Sequence, residues 1–129
     1  MKKFIAAILV LTLVLAFASV AMAARTPFHI VTDSTSIYQV GTPLYTRVAQ
    51  SWYLDIDTST SNVAPDHRAV TRVHLGVNAA SATWVYSGAN GTSHGYNSNI
   101  GLNQEGLTFR GRLDNRDSGT LQFHGTVHH

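Results

Sequence analysis

Residues 106–127 read Gly106-Leu107-Thr108-Phe109-Arg110-Gly111-Arg112-Leu113, then Asp114-Asn115-Arg116-Asp117-Ser118-Gly119, then Thr120-Leu121-Gln122-Phe123-His124-Gly125-Thr126-Val127. In the first run Leu107, Phe109, Gly111 and Leu113 fall on one side, with Thr108, Arg110 and Arg112 on the other. The second run repeats the pattern, with Leu121, Phe123, Gly125 and Val127 opposed to Gln122, His124 and Thr126. A period of two is the mark of a half-buried strand. The connector is built from turn-forming residues. This reading predicts two paired strands with Leu113 opposite Leu121, Gly111 opposite Phe123, Phe109 opposite Gly125 and Leu107 opposite Val127. Each aromatic ring would then cover a glycine, filling the space that a missing side chain leaves. On the outer face Arg112 would pair with Gln122, Arg110 with His124 and Thr108 with Thr126. A one-residue slip would turn the apolar set to water.

The same alternation recurs upstream. Leu44 to Ile56 carries Leu44, Val48, Trp52, Leu54 and Ile56 on one face and Tyr45, Arg47, Ser51, Tyr53 and Asp55 on the other, with a bulge or bend expected near Ala49-Gln50. Ala69 to Val77 sets Val73, Leu75 and Val77 inward and Arg72 and His74 outward. Phe28–Thr32, Ser36–Val40 and Ala82–Tyr86 are shorter candidates, and a further short strand is expected near Tyr96–Leu102. Helical spacing is absent after residue 24. The prediction is an all-β fold: an antiparallel β-sandwich or small barrel of about six to eight short strands. Its core would form around Trp52, Val73, Leu75, Phe109 and Phe123, with Trp84 also at or near an inward position.

Residues before the sheet carry an address. Met1-Lys2-Lys3 is a short positive start, Phe4 to Ala18 is an apolar run, and Ala21-Met22-Ala23 is a small-residue cleavage site. We expect a signal helix over residues 1–23, cleaved after Ala23, and a single secreted domain over 24–129. An uncleaved anchor is the competing reading, since Phe4 to Ala24 could span a bilayer, but the placement of the cleavage site favours removal. The lysine-led signal has a bacterial look. The chain of 129 residues has no cysteine, which excludes disulfides, thiol catalysis and zinc–thiolate sites. Both lysines lie in the signal, so seven arginines face seven carboxylates in the remainder and the formal +2 falls near zero. That balance gives no general attraction to nucleic acid, and no stable membrane insertion is expected after cleavage. Seven histidines with ordinary pKa values would make the domain cationic near pH 5.

The candidate chemistries are few. No His-x-His places two imidazoles on one strand face, and the adjacent pair His128-His129 would chelate only weakly if flexible. Asp55 and Asp57 with the later Asp66 resemble part of a calcium loop, but Thr60 stands where glycine is needed and no bidentate glutamate closes it, so no metal site is expected. Serine-nucleophile elbows and phosphate-loop motifs are absent, and no cofactor is implied. Asn90-Gly91-Thr92 matches a glycosylation acceptor that a bacterial export context leaves unused. Tyr45, Arg47 and Tyr53 on one outward stripe, with Arg110 and His124 on the other, are the candidate binding residues.

Phe28-His29-Ile30, Tyr45-Thr46-Arg47 followed by Trp52, Thr71-Arg72-Val73-His74-Leu75, and Leu113-Asp114-Asn115 leading to Phe123-His124-Gly125 occur in an order that resembles a group of small secreted proteins of Bacillus and related Gram-positive bacteria, classed as a domain of unknown function. These short matches are spread over most of residues 24–129. In that group a tryptophan follows soon after the last glycine, whereas Gly125-Thr126-Val127-His128-His129 has none. The resemblance implies a secreted, all-β, non-catalytic protein and transfers no site residues. The expected function is binding to an extracellular or cell-surface partner. An antimicrobial or toxin-like protein acting on neighbouring cells, and a structural component of a surface layer or appendage, are the alternatives.

Overall fold

The computed structural model describes residues 24–63, 67–87 and 93–129; the expected signal helix over 1–23, Asp66 and the Asn90-Gly91-Thr92 match lie outside them. The described residues form strands β1 Arg25–Thr32, β2 Gln39–Val40, β3 Ser51–Ile56, β4 Ala69–Leu75, β5 Asn78–Ala79, β6 Trp84–Tyr86, β7 His94–Gly95, β8 Leu107–Leu113 and β9 Leu121–His128. One antiparallel sheet runs β1-β9-β3-β7; the other runs β2-β8-β4, with β5 and β6 both on the far side of β4. The fold is the expected all-β sandwich. Among the described residues it has one strand more than the upper expectation, because β5, two residues long, is too short to show a period in sequence. Among the described residues no helix is long and apolar enough to cross a membrane.

The hairpin of residues 106–127 does not form. β8 and β9 belong to different sheets and face each other across the core, with Phe109 and Phe123 ring centroids 6.3 Å apart. The inward faces are as expected: Leu107, Phe109, Leu113, Leu121, Phe123 and Val127 are all fully buried. Alternation says which side of a strand is apolar and is silent on which strand lies beside it. The connector settles the partner. Asp114 N–H donates to the Arg68 carbonyl, Asp117 N–H to the Asp114 carbonyl, and the Arg68 guanidinium lies 3.5 Å from Asp114 and 3.9 Å from Asp117. Anchored there, the connector crosses the roughly 10 Å between layers instead of folding back within one.

Glycines do receive large side chains, but from other strands. Phe28 on β1 lies opposite Gly125, and a Cβ there would sit 2.9 Å from Phe28 Cε1 and hard against the Asp55 carbonyl oxygen. Ile30 covers Gly111, where a Cβ would meet Ile30 Cδ1 at 2.8 Å. Phe28 thereby reaches both central rings, at 5.0 Å from Phe109 and 4.8 Å from Phe123. Trp52 and Val73 are fully buried with them, and Leu75 is partly buried against the cluster.

The 44–56 stretch is a strand only from Ser51. Trp52, Leu54 and Ile56 are inward as expected, but Leu44 is 73% exposed and Val48 is exposed, while Tyr45 and Arg47 are buried. The bend at Ala49-Gln50 exchanges the two faces. Tyr45 pairs by backbone with Leu107, and this part of the chain extends the β8 side of the sandwich. Val77, expected inward, is 88% exposed, because the chain leaves β4 at a turn where Gly76 has φ 59°. The strand expected near Tyr96–Leu102 lies earlier, at β7, with Tyr96 bridging Ser81. On one side the layers are closed by Gly41, which accepts from His29 N–H at 2.8 Å and donates to the Phe109 carbonyl at 2.9 Å.

Gly125→Ala is expected to destabilise the fold by at least about 2 kcal/mol, because its clash involves backbone and cannot relax by a rotamer change. Gly95→Ala, with nothing within 4 Å of the added carbon, is expected to change stability little. Urea unfolding midpoints of the two variants would show the difference.

Candidate functional site

The expected binding residues are dispersed. Tyr45 and Arg47 are inside the protein. Arg47 Nε–H donates to the Ala49 carbonyl at 2.9 Å, Nη2 to the Gln50 carbonyl and Oε1 at 3.1 Å each, and Nη1 to the Ile100 carbonyl. Its guanidinium lies 4.6 Å from the Tyr96 ring centroid. Arg47 is therefore a buried clamp that satisfies the carbonyls of the 49–50 bend and of the 100 loop. Burial pushes the Tyr45 phenol far above its ordinary range, and burial likewise pushes Tyr96 up to about 12, so both hydroxyls stay protonated.

Tyr53 and His124 lie on the outer face of the β1-β9-β3-β7 sheet. Cross-strand rows there stack Tyr53 on His128 at 4.2 Å and His29 on His124 at 4.0 Å. Asp55 is exposed in the row between. Asp57 closes a turn by accepting from Ser59 N–H at 3.0 Å and Ser59 Oγ–H at 2.6 Å; the Ser59 hydroxyl holds its carboxyl below the usual range. The Asp55/Asp57/Asp66 calcium candidate thus has Asp57 committed to a turn, and Asp66 lies outside the described residues. Among the described residues no three His, Asp or Glu side chains are grouped to hold a metal.

The C-terminal histidines are not a flexible pair. Both are buried, and His129 Nδ1–H donates to the Thr46 carbonyl at 2.8 Å while Nε2 accepts from the Thr26 hydroxyl at 2.9 Å. Trp84 is also displaced from its expected inward position: it is 39% exposed and stacks at 4.0 Å on buried His94, whose Nε2 shares a 2.7 Å hydrogen bond with the Tyr86 hydroxyl.

Arg110 lies on the opposite face of the molecule from His124, and it has company there. Alternation on β8 puts Thr108, Arg110 and Arg112 outward; on β4 it puts Val70, Arg72 and His74 outward. The register sets Arg72 directly opposite Arg110, Val70 opposite Arg112 and His74 opposite Thr108. Tyr38, just before β2, lays its ring beside this group, 4.7 Å from the Arg72 guanidinium and 5.3 Å from that of Arg112. Among the described residues none of these three arginines has a carboxylate partner, whereas Arg68 pairs with Asp114 and Asp117. Like charges directly opposite on a sheet repel. The outward arginines were legible in the alternation of β4 and β8. The place of Tyr38 beside them was not, because it follows from the pairing of β2 with β8, which alternation within Ser36–Val40 does not give.

No family model, no curated protein and no solved structure matches this chain.

The histidines answer acid differently from the sequence expectation. Burial, with Arg72 and Arg110 beside it, pushes His74 down to about 4. Burial also lowers His94, His124, His128 and His129. His74 therefore stays largely neutral near pH 5, and the other four take up protons less readily than ordinary histidines. A depressed pKa means that the unfolded chain takes up the proton first, so this stability is complete above about pH 6.5 and drains away as pH falls toward 4. Unfolding free energy is expected to drop between pH 7 and pH 4, with His74 contributing on the order of 2 kcal/mol. Urea titrations at each pH should show a smaller drop in His74→Gln. A second expectation concerns Arg47: Arg47→Leu should lower the urea midpoint by the equivalent of about 3 kcal/mol, because several buried carbonyls lose their donor.

Proposed function

We propose that this protein is an exported, non-catalytic β-sandwich that acts by binding an anionic component at or outside the cell surface. The observation that carries the reading is the outer face of the β2-β8-β4 sheet, where Arg72, Arg110 and Arg112 lie together without a carboxylate among the described residues. In a mature chain whose formal charge is near zero, such a face concentrates positive potential locally. The signal-like residues 1–23, and short motifs that resemble those of small secreted Gram-positive proteins, are in keeping with this reading.

The alternatives have less behind them. An acid-activated killing protein needs histidines that charge readily, and five are held below their ordinary range. Assembly into a surface layer through an edge strand needs a long free edge; β2, β5, β6 and β7 are two or three residues each, and the eight-residue edge β1 already donates its His29 N–H to the Gly41 carbonyl.

The test is co-sedimentation of the purified protein with isolated cell envelopes at rising salt. Binding is expected at physiological ionic strength and should be lost near 1 M salt, where the screening length is about 3 Å. The double variant Arg72→Gln/Arg112→Gln should stay in the supernatant throughout. Equal pelleting of wild type and double variant would refute the proposal.

A further inference from the structure

The arginine face has more organisation than general attraction requires. Each guanidinium is held by the protein on one side. Arg72 Nε–H donates to His74 Nε2 at 3.1 Å. Arg110 donates through Nε to Thr108 Oγ1 at 3.0 Å and through Nη2 to the Gly76 carbonyl at 2.8 Å. Arg112 uses Nη1 for the Thr35 carbonyl, the Leu113 carbonyl at 3.0 Å and Asn115 Oδ1 at 2.7 Å.

The remaining donors have no acceptor among the described residues: both terminal nitrogens of Arg72, Nη1 of Arg110, and Nε with Nη2 of Arg112. For Arg72 and Arg112 these are complete two-donor edges, the geometry that suits bidentate pairing with an oxyanion. The two guanidinium carbons flank one ring and so stand at most about 10 Å apart, the sum of their distances to its centroid. Arg110 approaches from directly across Arg72.

We propose that this face is a binding site for a tetrahedral oxyanion of phosphate or sulfate type, carrying more than one negative charge, gripped by Arg72 and Arg112 beside Tyr38 and assisted by Arg110. The assignment rests on the anionic-partner reading above and names its chemistry. Three cations with a neutral His74 beside Arg72 and Arg110 call for more charge than one carboxylate brings. A tetrahedral anion offers oxygens in several directions, whereas a carboxylate offers two in one plane. Bridging Arg72 and Arg110 also relieves the repulsion between them.

The experiment is isothermal titration of the purified protein with inorganic phosphate, sulfate, glycerol phosphate and acetate at pH 7.5. Phosphate or sulfate should bind saturably and at least about ten-fold more tightly than acetate, in keeping with two charge-assisted edges rather than one. Glycerol phosphate binding at least as well as free phosphate would assign the natural source to an esterified group; weaker binding would assign it to the free ion. Arg72→Gln should lower phosphate affinity about ten-fold or more. Arg112→Lys, which keeps the charge and loses the planar edge, should also weaken it. Arg25→Gln, on the other sheet, removes the same charge and should leave it unchanged. Equal binding of acetate and phosphate, absence of saturation, or the same loss in Arg25→Gln as in Arg72→Gln would overturn the assignment. Envelope binding without phosphate binding would also overturn it while leaving the anionic-partner proposal standing. Phosphate binding without envelope binding would uphold the site and refute that proposal.

Discussion

Phe28, Phe109 and Phe123 come from three strands in two sheets and meet at the centre of the sandwich, with ring centroids 4.8 to 6.3 Å apart. In a chain without cysteine, contacts of this kind hold the layers together. Phe28 can enter only because Gly125 has no side chain on the strand opposite. Its entry fixes β1, and β1 then ties His29 to Gly41 and, through Gly41, to Phe109 on the other sheet. Gly41 follows directly on β2, so the same closure holds the strand that delivers Tyr38 to the arginine face. The proposed site is in this sense a consequence of how the core is filled.

The arginines show how one side-chain type takes three roles according to its surroundings. Arg47 is buried and surrounded by carbonyl oxygens, which neutralise its donors without an opposite charge. Arg68 pairs with Asp114 and Asp117 and holds the connector between β8 and β9. Arg72, Arg110 and Arg112 are anchored on one side and open on the other. Burial and partners separate these roles, and neither can be read from the letter in the sequence. His74 belongs with the last group: as a neutral imidazole it accepts from Arg72 and adds no charge to a crowded cationic surface.

The two faces of the sandwich differ in kind. The outer face of the β1-β9-β3-β7 sheet mixes stacked imidazoles with Tyr53, Asp55 and Arg25, so its charges offset one another. Among the described residues, strands β2, β4 and β8 of the other sheet carry arginine and histidine but no carboxylate. The proposed binding face is therefore the second, although four of the five residues expected from sequence lie elsewhere.

What could be read without coordinates was whatever depends on neighbours along the chain. Period-two alternation correctly gave the class of fold, the inward side of β8, β9 and most of β4, and the burial of Trp52, Phe109 and Phe123. Pairing was beyond it. The inward side of a strand is the same whether its partner is the next strand or one in the opposite layer, so a supposed hairpin became two strands facing across the core. The bend at Ala49-Gln50 reversed the faces before it, which turned Tyr45 and Arg47 from surface candidates into buried ones. The gathering of Tyr38, Arg72, Arg110 and Arg112 likewise came from long-range pairing, because β4 and β8 are separated by more than thirty residues and only their register places those side chains side by side.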